Sequence, residues 1–372
     1  MEKTLIVHFG AGALGRGLVI PILVESGCEV VIVDTNEALN EALNRNHSYE
    51  VDLTDDPEGR IHTIPIREAL SPVKNAAEVA RYLLAAKTVT TSVRRENLIY
   101  VARALAPLWG EHPEAGRRVL CCENVEHVGE AFSELLLGCA ENEAQHRSLR
   151  SVAIPDTIVD RICSANWPST SLVTSERFFE LAVAKSALPD TGIKLIPSVD
   201  RIDAAFARKR FLVNTYADAV SFFALRDGCR YLYDAVGNVT INAQIEPYMG
   251  LLKRLLVLAY DYTPEDLETW AEKYKRRLAN PAIPRDLHTV ARGLWQKLSP
   301  GERFVLPIIE LMKRGEPMED GVRFLAELIL AGEATEEQPL GRDELLNRLE
   351  TLWAESAESR QLFQWVKPRL NA

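Results

Sequence analysis

The chain has 372 residues, longer than one hydrophobic core usually grows, so two domains are expected. Its composition, 47% hydrophobic and 26% charged, is that of a folded globular protein, and no stretch is polar enough to read as a disordered tail. A formal charge of -10 lacks the Lys/Arg field that collects nucleic acid, and no apolar run reaches the ~20 residues of a membrane span. Neither nucleic acid nor a membrane is therefore expected as a partner. Met1-Glu2-Lys3 runs straight into a strand pattern and leaves no room for a signal peptide, so the expected location is the cytoplasm.

Thr4-Leu5-Ile6-Val7-His8-Phe9 opens the chain as a strand, followed by Gly10-Ala11-Gly12-Ala13-Leu14-Gly15-Arg16-Gly17 and a helical run from Leu18 to Ser26. This is the order of a dinucleotide-binding turn. Gly10 supplies the tight turn, Gly12 lets the backbone approach a pyrophosphate, and Gly15 lets the helix pack on the strand, with helix amides facing the phosphates. The next strand, Glu29 to Val33, ends at Asp34, 19 residues past Gly15. A carboxylate there accepts both ribose hydroxyls and repels a 2'-phosphate, and no arginine follows in Thr35-Asn36-Glu37. The expected cofactor is NAD.

Further strands are expected at Thr88 to Val93, Arg118 to Cys122 and Ser151 to Ile154, alternating with helices as in βαβ units. Arg94-Arg95 follows the first of these; either guanidinium could fork onto a phosphate of cofactor or substrate, or face solvent. Cys28, Cys121, Cys122, Cys139, Cys163 and Cys229 have no zinc or redox spacing and read as reduced packing residues. The turn-rich stretch Leu188 to Pro197 holds the boundary, giving a dinucleotide-binding domain over 1–195 and a second domain over 196–372.

The second half has helical spacing without strand runs: Ala204 to Leu225, Ile245 to Tyr260, Pro264 to Leu278, Arg285 to Lys297, Gly301 to Arg314 and Gly321 to Leu330. Asn280-Pro281, Ile283-Pro284 and Ser299-Pro300-Gly301 mark joints. The fold class is thus an α/β Rossmann-type parallel-sheet domain followed by a mainly α-helical one. On the first long helix, Lys209 and Asn214 stand five residues apart, about 140° on an α-helical wheel, suited to two groups entering one cleft from its sides. Taken singly, Lys209 between Arg208 and Arg210 fits a solvated helix face, and Asn124 and Asp160 fit strand-end turns.

Several segments together resemble the polyol-specific long-chain dehydrogenases, in particular the mannitol-1-phosphate 5-dehydrogenases. They are His8 to Gly12 with Gly15-Arg16-Gly17, Cys122-Glu123-Asn124, Pro155 to Arg161, Arg208-Lys209 with Val213-Asn214-Thr215, and Asn280-Pro281 with Val290, Arg292, Lys297-Leu298 and Glu302-Arg303. They cover roughly residues 5 to 310 in order. The resemblance implies metal-independent, NAD-dependent interconversion of a sugar alcohol phosphate and a ketose phosphate. Lys209 then corresponds to the general base, Asn214 and Asn124 to the amides that hydrogen-bond the substrate oxygen, and Asp160 to a site aspartate. A base lysine needs a setting that disfavours its ammonium form.

The family's K-x-x-x-x-N-x-x-H segment ends here in Ala217 instead of histidine. Tyr216 replaces a residue that tends to be glycine, lies within about 20° of Lys209 on the α wheel, and could fill part of the vacated space. Arg292, Lys297 and Arg303 are candidate substrate-binding residues, although Leu294 and Gln296 depart from the family pattern. These departures leave open a hexonate or free polyol as substrate, as in the related altronate and fructuronate oxidoreductases, and a catalytically silent NAD-binding protein.

Overall fold

Short β-branched runs, buried on both faces, assemble the N-terminal half around a parallel sheet. The structure, a computed structural model, describes residues 3–371 and divides into two compact units, Met1–Ala205 and Phe206–Ala372. In the first, β1 (Leu5–Phe9) leads through a π-turn (Gly15–Val19) into α1 (Ile20–Glu25). There follow β2 (Glu29–Val33), α2 (Glu37–Asn44), β3 (Ser48–Leu53), β4 (Ile61–Pro65), β5 (Glu68–Leu70), α3 (Ala76–Ala85), β6 (Thr88–Thr91), α4 (Leu98–Glu111) and β7 (Arg118–Cys121). The sheet order is β5-β2-β1-β6-β7 with every pair parallel.

The order reverses between β1 and β6, so a crevice opens there beyond the carboxyl ends of the strands, the place where doubly wound sheets bind ligands. Alternate residues serve opposite cores: Ile6, Val30 and Ile32 pack under α1 and α2, while Val7, Val31 and Val33 pack under α3 and α4. Strands buried on both sides read as continuous apolar runs, which is why these were legible in sequence.

Past β7 come α5 (Val128–Gly138), α6 (Glu143–Leu149), β8 (Thr157–Asp160), β9 (Cys163–Ala165), β10 (Val173–Ser175), β11 (Glu180–Ala184) and β12 (Ser198–Val199). Two further sheets result, β4-β3-β10-β9 and β12-β11-β8, neither of which the sequence reading anticipated. The strand expected at Ser151 to Ile154 is reduced to a parallel bridge from Ala153 to Arg118. All six cysteines are free, and Cys28, Cys121 and Cys122 are buried.

α7 (Ile202–Arg208) runs into a second π-turn (Lys209–Asn214) and then α8 (Thr215–Arg226). α9 (Leu232–Val236), α10 (Val239–Tyr260) and α11 (Pro264–Leu278) follow, with Asn238 and Thr263 capping the amides of Ile241 and Asp266. The segment Arg285 to Lys297, expected as one helix, is two single turns, α12 (Leu287–Val290) and α13 (Leu294–Lys297), because Gly293 takes a left-handed φ of 66° between them. α14 (Leu306–Lys313), α15 (Glu319–Glu333), α16 (Arg342–Leu352) and α17 (Ala357–Leu370) complete the unit. Every residue from Thr215 to Ala224 is buried, as expected of a helix apolar around its circumference, and its neighbours include α9, α10, α12 and α15. Among the described residues no helix is long and apolar enough to cross a membrane.

Candidate active site

At the carboxyl end of β1 two glycines are enforced by the backbone itself. Gly10 has φ +103°, and a Cβ there would stand 2.6 Å from the Ser92 carbonyl oxygen; a Cβ on Gly15 would stand 2.2 Å from the Gly10 oxygen. Gly12 is the opposite case, exposed, with nothing within 4 Å of the Cβ position. That open space beside a bare backbone suits the close approach of a pyrophosphate. Ala11 is buried, and Ala13 and Leu14 lead into the π-turn. Asp34 closes the loop on itself: the Ala11 amide donates to Oδ2 at 2.6 Å and the Asn36 amide to Oδ1 at 2.8 Å. A carboxylate offers about four lone-pair directions, so two remain for a pair of vicinal hydroxyls.

The carbonyls of the loop are held from behind. His8, fully buried, bonds the Gly10 oxygen through Nε2 at 2.9 Å and Thr90 Oγ1 through Nδ1 at 2.7 Å. Since a carbonyl only accepts, Nε2 carries the hydrogen and Nδ1 accepts from the threonine hydroxyl. Burial outweighs the Gly10 bond and pushes the His8 pKa down to about 4, keeping the ring neutral. Ser92 Oγ donates to the same Gly10 oxygen at 3.0 Å. Arg16, only 1% exposed, donates from Nε to the Ala11 oxygen at 2.6 Å and from Nη1 to the Ser171 oxygen. Arg161 Nη1 reaches the Gly17 oxygen at 2.9 Å.

The ends of β6 and β7 are tied by Glu123. Its buried carboxylate accepts from Thr91 Oγ1 at 2.8 Å and from the Val93 amide at 2.9 Å, and burial raises its pKa against the pull of those bonds. The next residue on one side is Arg94, with φ 72° and ψ 152°, a region otherwise occupied almost solely by glycine and costing other residues about 1–3 kcal/mol. The next residue on the other side is Asn124, exposed beyond β7 on the same edge of the sheet. Asp160 ends β8 opposite Glu180 of β11 and is 6% exposed.

In the helical unit the structure changes the wheel on which Lys209 and Asn214 were compared. They bracket a π-turn: the Thr215 amide donates to the Arg210 oxygen, five residues back, and Thr215 Oγ1 donates to it at 2.8 Å. A π-turn takes up one more residue than an α-turn, so positions beyond it count one fewer on the wheel. Asn214 then falls about 40° from Lys209, not 140°, and Ala217 about 20° away. Tyr216 rotates off this face. Its hydroxyl donates to Asn242 Oδ1 at 2.6 Å and not into the space beside Ala217, and burial raises its pKa. Arg208 is also not solvated as its charged neighbours suggested: it is 6% exposed, stacked 3.9 Å from the Trp270 ring centroid, with Nε donating to Tyr274 Oη at 3.2 Å.

One turn past Asn214, Asp218 sits on the buried α8 and is 5% exposed. It accepts from Lys297 Nζ on Oδ1 at 3.0 Å and from Arg303 Nη1 on Oδ2 at 2.8 Å. Burial lowers the Lys297 pKa despite Asp218, and Lys297 also donates to the Val290 oxygen at 3.0 Å. Two cations share one carboxylate, and the Arg303 Nε is buried without a hydrogen-bond partner. Removing Asp218 would leave the Lys297 ammonium without its carboxylate, a loss of about 3–5 kcal/mol for a buried pair, while Arg303 keeps Glu302 at 3.9 Å. Arg292 is exposed beyond α12. Asp218 was missed in the sequence, although a lone carboxylate within Tyr216-Ala217-Asp218-Ala219-Val220 does signal a buried ion pair.

The chain matches the family described as Mannitol dehydrogenase Rossmann domain over residues 4–196 and that described as Mannitol dehydrogenase C-terminal domain over residues 201–367. It is 31% identical to a mannitol-1-phosphate 5-dehydrogenase of Arthrobacter sp. (strain FB24) over 317 residues, 83% of this chain and 81% of the relative. A second protein of that name from Shouchella clausii (strain KSM-K16) is 30% identical over 333 residues, 86% and 88% of the two chains. Among solved structures, a Pseudomonas fluorescens mannitol 2-dehydrogenase ternary complex with NAD and D-mannitol aligns with TM-score 0.74 at 15% identity, covering 99% of this chain and 91% of that one. A D-sorbitol dehydrogenase in substrate-free form aligns with TM-score 0.79 at 15% identity, covering 99% and 93%. At that identity the likeness is one of fold.

Proposed function

The chain belongs to the mannitol dehydrogenase family, and from that premise we propose that it is a metal-independent, NAD-dependent oxidoreductase interconverting mannitol 1-phosphate and fructose 6-phosphate. The observation that carries the reading is the π-turn, which puts Lys209 and Asn214 on one face of a helix instead of on two. Lys209 takes the proton from the substrate hydroxyl. Asn214 and Asn124 donate hydrogen bonds to the oxygen as it gains negative character, and being neutral they do not compete for the proton. Asp160 is assigned to the same site. NAD, when bound, supplies the acceptor for the hydride that leaves the carbinol carbon. The open backbone at Gly12 receives its pyrophosphate, and Asp34 accepts its ribose hydroxyls.

Lys297 and Arg303 carry two positive charges against the carboxylate of Asp218, Glu302 adds a carboxylate 3.9 Å from Arg303 Nε, and Arg292 adds a third cation to the same stretch of chain. The surplus supports a substrate with an anionic group, which we take to be a phosphate. A second reading, a free polyol or hexonate as substrate, is favoured by the same ion pairs, because Asp218 already occupies a donor of each cation.

Initial rates with NAD and a panel of mannitol 1-phosphate, mannitol and hexonates test the assignment. The phosphate reading expects kcat/KM for mannitol 1-phosphate at least about tenfold above that for mannitol, the discrimination one charged hydrogen bond supplies. Equal or better use of mannitol, or of a hexonate, selects the second reading. NADH binding with no turnover of any member would identify a catalytically silent protein.

A further inference from the structure

Residues 92–94 lie in the crevice where the sheet order reverses, directly against the phosphate loop. The Ser92 amide donates to the Phe9 oxygen at 2.8 Å, its hydroxyl to the Gly10 oxygen at 3.0 Å, and its own carbonyl closes the space a Gly10 side chain would need. Two residues on, Arg94 holds a backbone conformation suited to glycine, at φ 72° and ψ 152°. Neighbouring groups fix that conformation from both sides. Glu123 accepts the Val93 amide at 2.9 Å, Asn97 Nδ2 donates to the Val93 oxygen at 2.8 Å, and the Asn97 amide donates to the Arg94 oxygen at 3.0 Å. The same buried carboxylate also accepts from Thr91 Oγ1 at 2.8 Å, which ties the turn to the end of β6.

The side chain stands apart from this framework. Arg94 is exposed, and among the described residues no carboxylate, carbonyl or ring engages its guanidinium. A strained turn that a glycine would relax, rigidly built and topped by an unengaged cation at the mouth of a ligand crevice, is best accounted for by the ligand. We propose that Arg94 is a phosphate-binding residue, its planar fork meeting a phosphate that enters the crevice beside Gly10. Two sources carry that chemistry: the pyrophosphate of the dinucleotide and the phosphate of the substrate. The inference rests on the reading of the chain as a dinucleotide-dependent enzyme.

The test uses the full chain with Arg94→Gly and Arg94→Gln. NADH dissociation constants by fluorescence titration at low ionic strength, KM for mannitol 1-phosphate and for mannitol, and Tm are measured for each. Both variants are expected to weaken a phosphate-bearing ligand by about tenfold or more, with Tm unchanged in Arg94→Gln and equal or higher in Arg94→Gly. Weaker NADH binding identifies the cofactor as the source. A raised KM for mannitol 1-phosphate, with mannitol and NADH unaffected, identifies the substrate. Unchanged binding of both, or tighter NADH binding by Arg94→Gly, overturns the proposal. The NADH titration needs no turnover, so if wild type acts on no polyol the functional reading fails while this arm alone decides the role of Arg94.

Discussion

The two π-turns, Gly15–Val19 in the N-terminal unit and Lys209–Asn214 in the helical one, use one backbone device for opposite ends. The first is all buried and is a matter of main chain: just before it Gly12 leaves the backbone open and His8 and Arg16 occupy the Gly10 and Ala11 carbonyls, and within it Arg161 occupies the Gly17 carbonyl. The second keeps its apolar residues Phe211, Leu212 and Val213 buried and leaves Lys209 and Asn214 half-buried, so its contribution is the alignment of two side chains. A helix widened by one residue therefore follows directly on a bare backbone in one place and brings a pair of polar groups to one face in the other. π-turns concentrate at functional sites for such reasons.

The largest effects are expected at the glycines. Gly15→Ala forces a methyl group to 2.2 Å from the Gly10 oxygen, so NADH binding is expected to be lost and stability to fall by about 1–3 kcal/mol, read by titration and thermal melting. Gly12→Ala meets no protein atom within 4 Å; its Tm is expected to hold while NADH binding still weakens. A drop in Tm for Gly12→Ala, or intact binding in Gly15→Ala, would break the division between packing glycine and ligand glycine.

A smaller effect is expected at His8, behind the Gly10 carbonyl. His8 has its pKa pushed down to about 4 from 6.5, so the unfolded chain takes up a proton first as pH falls. Stability is therefore full above pH 6.5 and declines between pH 6.5 and 4, by up to about 3 kcal/mol from this residue. His8→Asn is expected to flatten that slope in denaturant melts at pH 7, 5.5 and 4.5. An unaltered slope would mean that other groups dominate it.

The parallel sheet, the tight loop from Gly10 to Gly15 and Asp34 at the end of β2 were legible because each is written in adjacent residues or a fixed period. Three features were not. β4 and β9 are short and partly exposed, with no alternation long enough to register. The π-turn has no residue signature in Lys209-Arg210-Phe211-Leu212-Val213-Asn214, so an α wheel set Asn214 apart from Lys209 and brought Tyr216 near it. Asp218 meets Arg303 across 85 positions of sequence, a pairing only the packed helices create. The glycine-type backbone at Arg94 was equally hidden, since arginine at that position conceals the φ that the turn demands.

Lys209→Ala removes the proposed base, and NADH affinity and kcat for mannitol 1-phosphate are to be measured on the same preparation. A general base contributes about 10²–10⁴ in rate, so kcat is expected to fall by at least about a hundredfold while NADH affinity stays within about twofold. Turnover that survives the substitution, or NADH binding that disappears with it, would contradict the role given to Lys209 and with it the purpose assigned to the second π-turn.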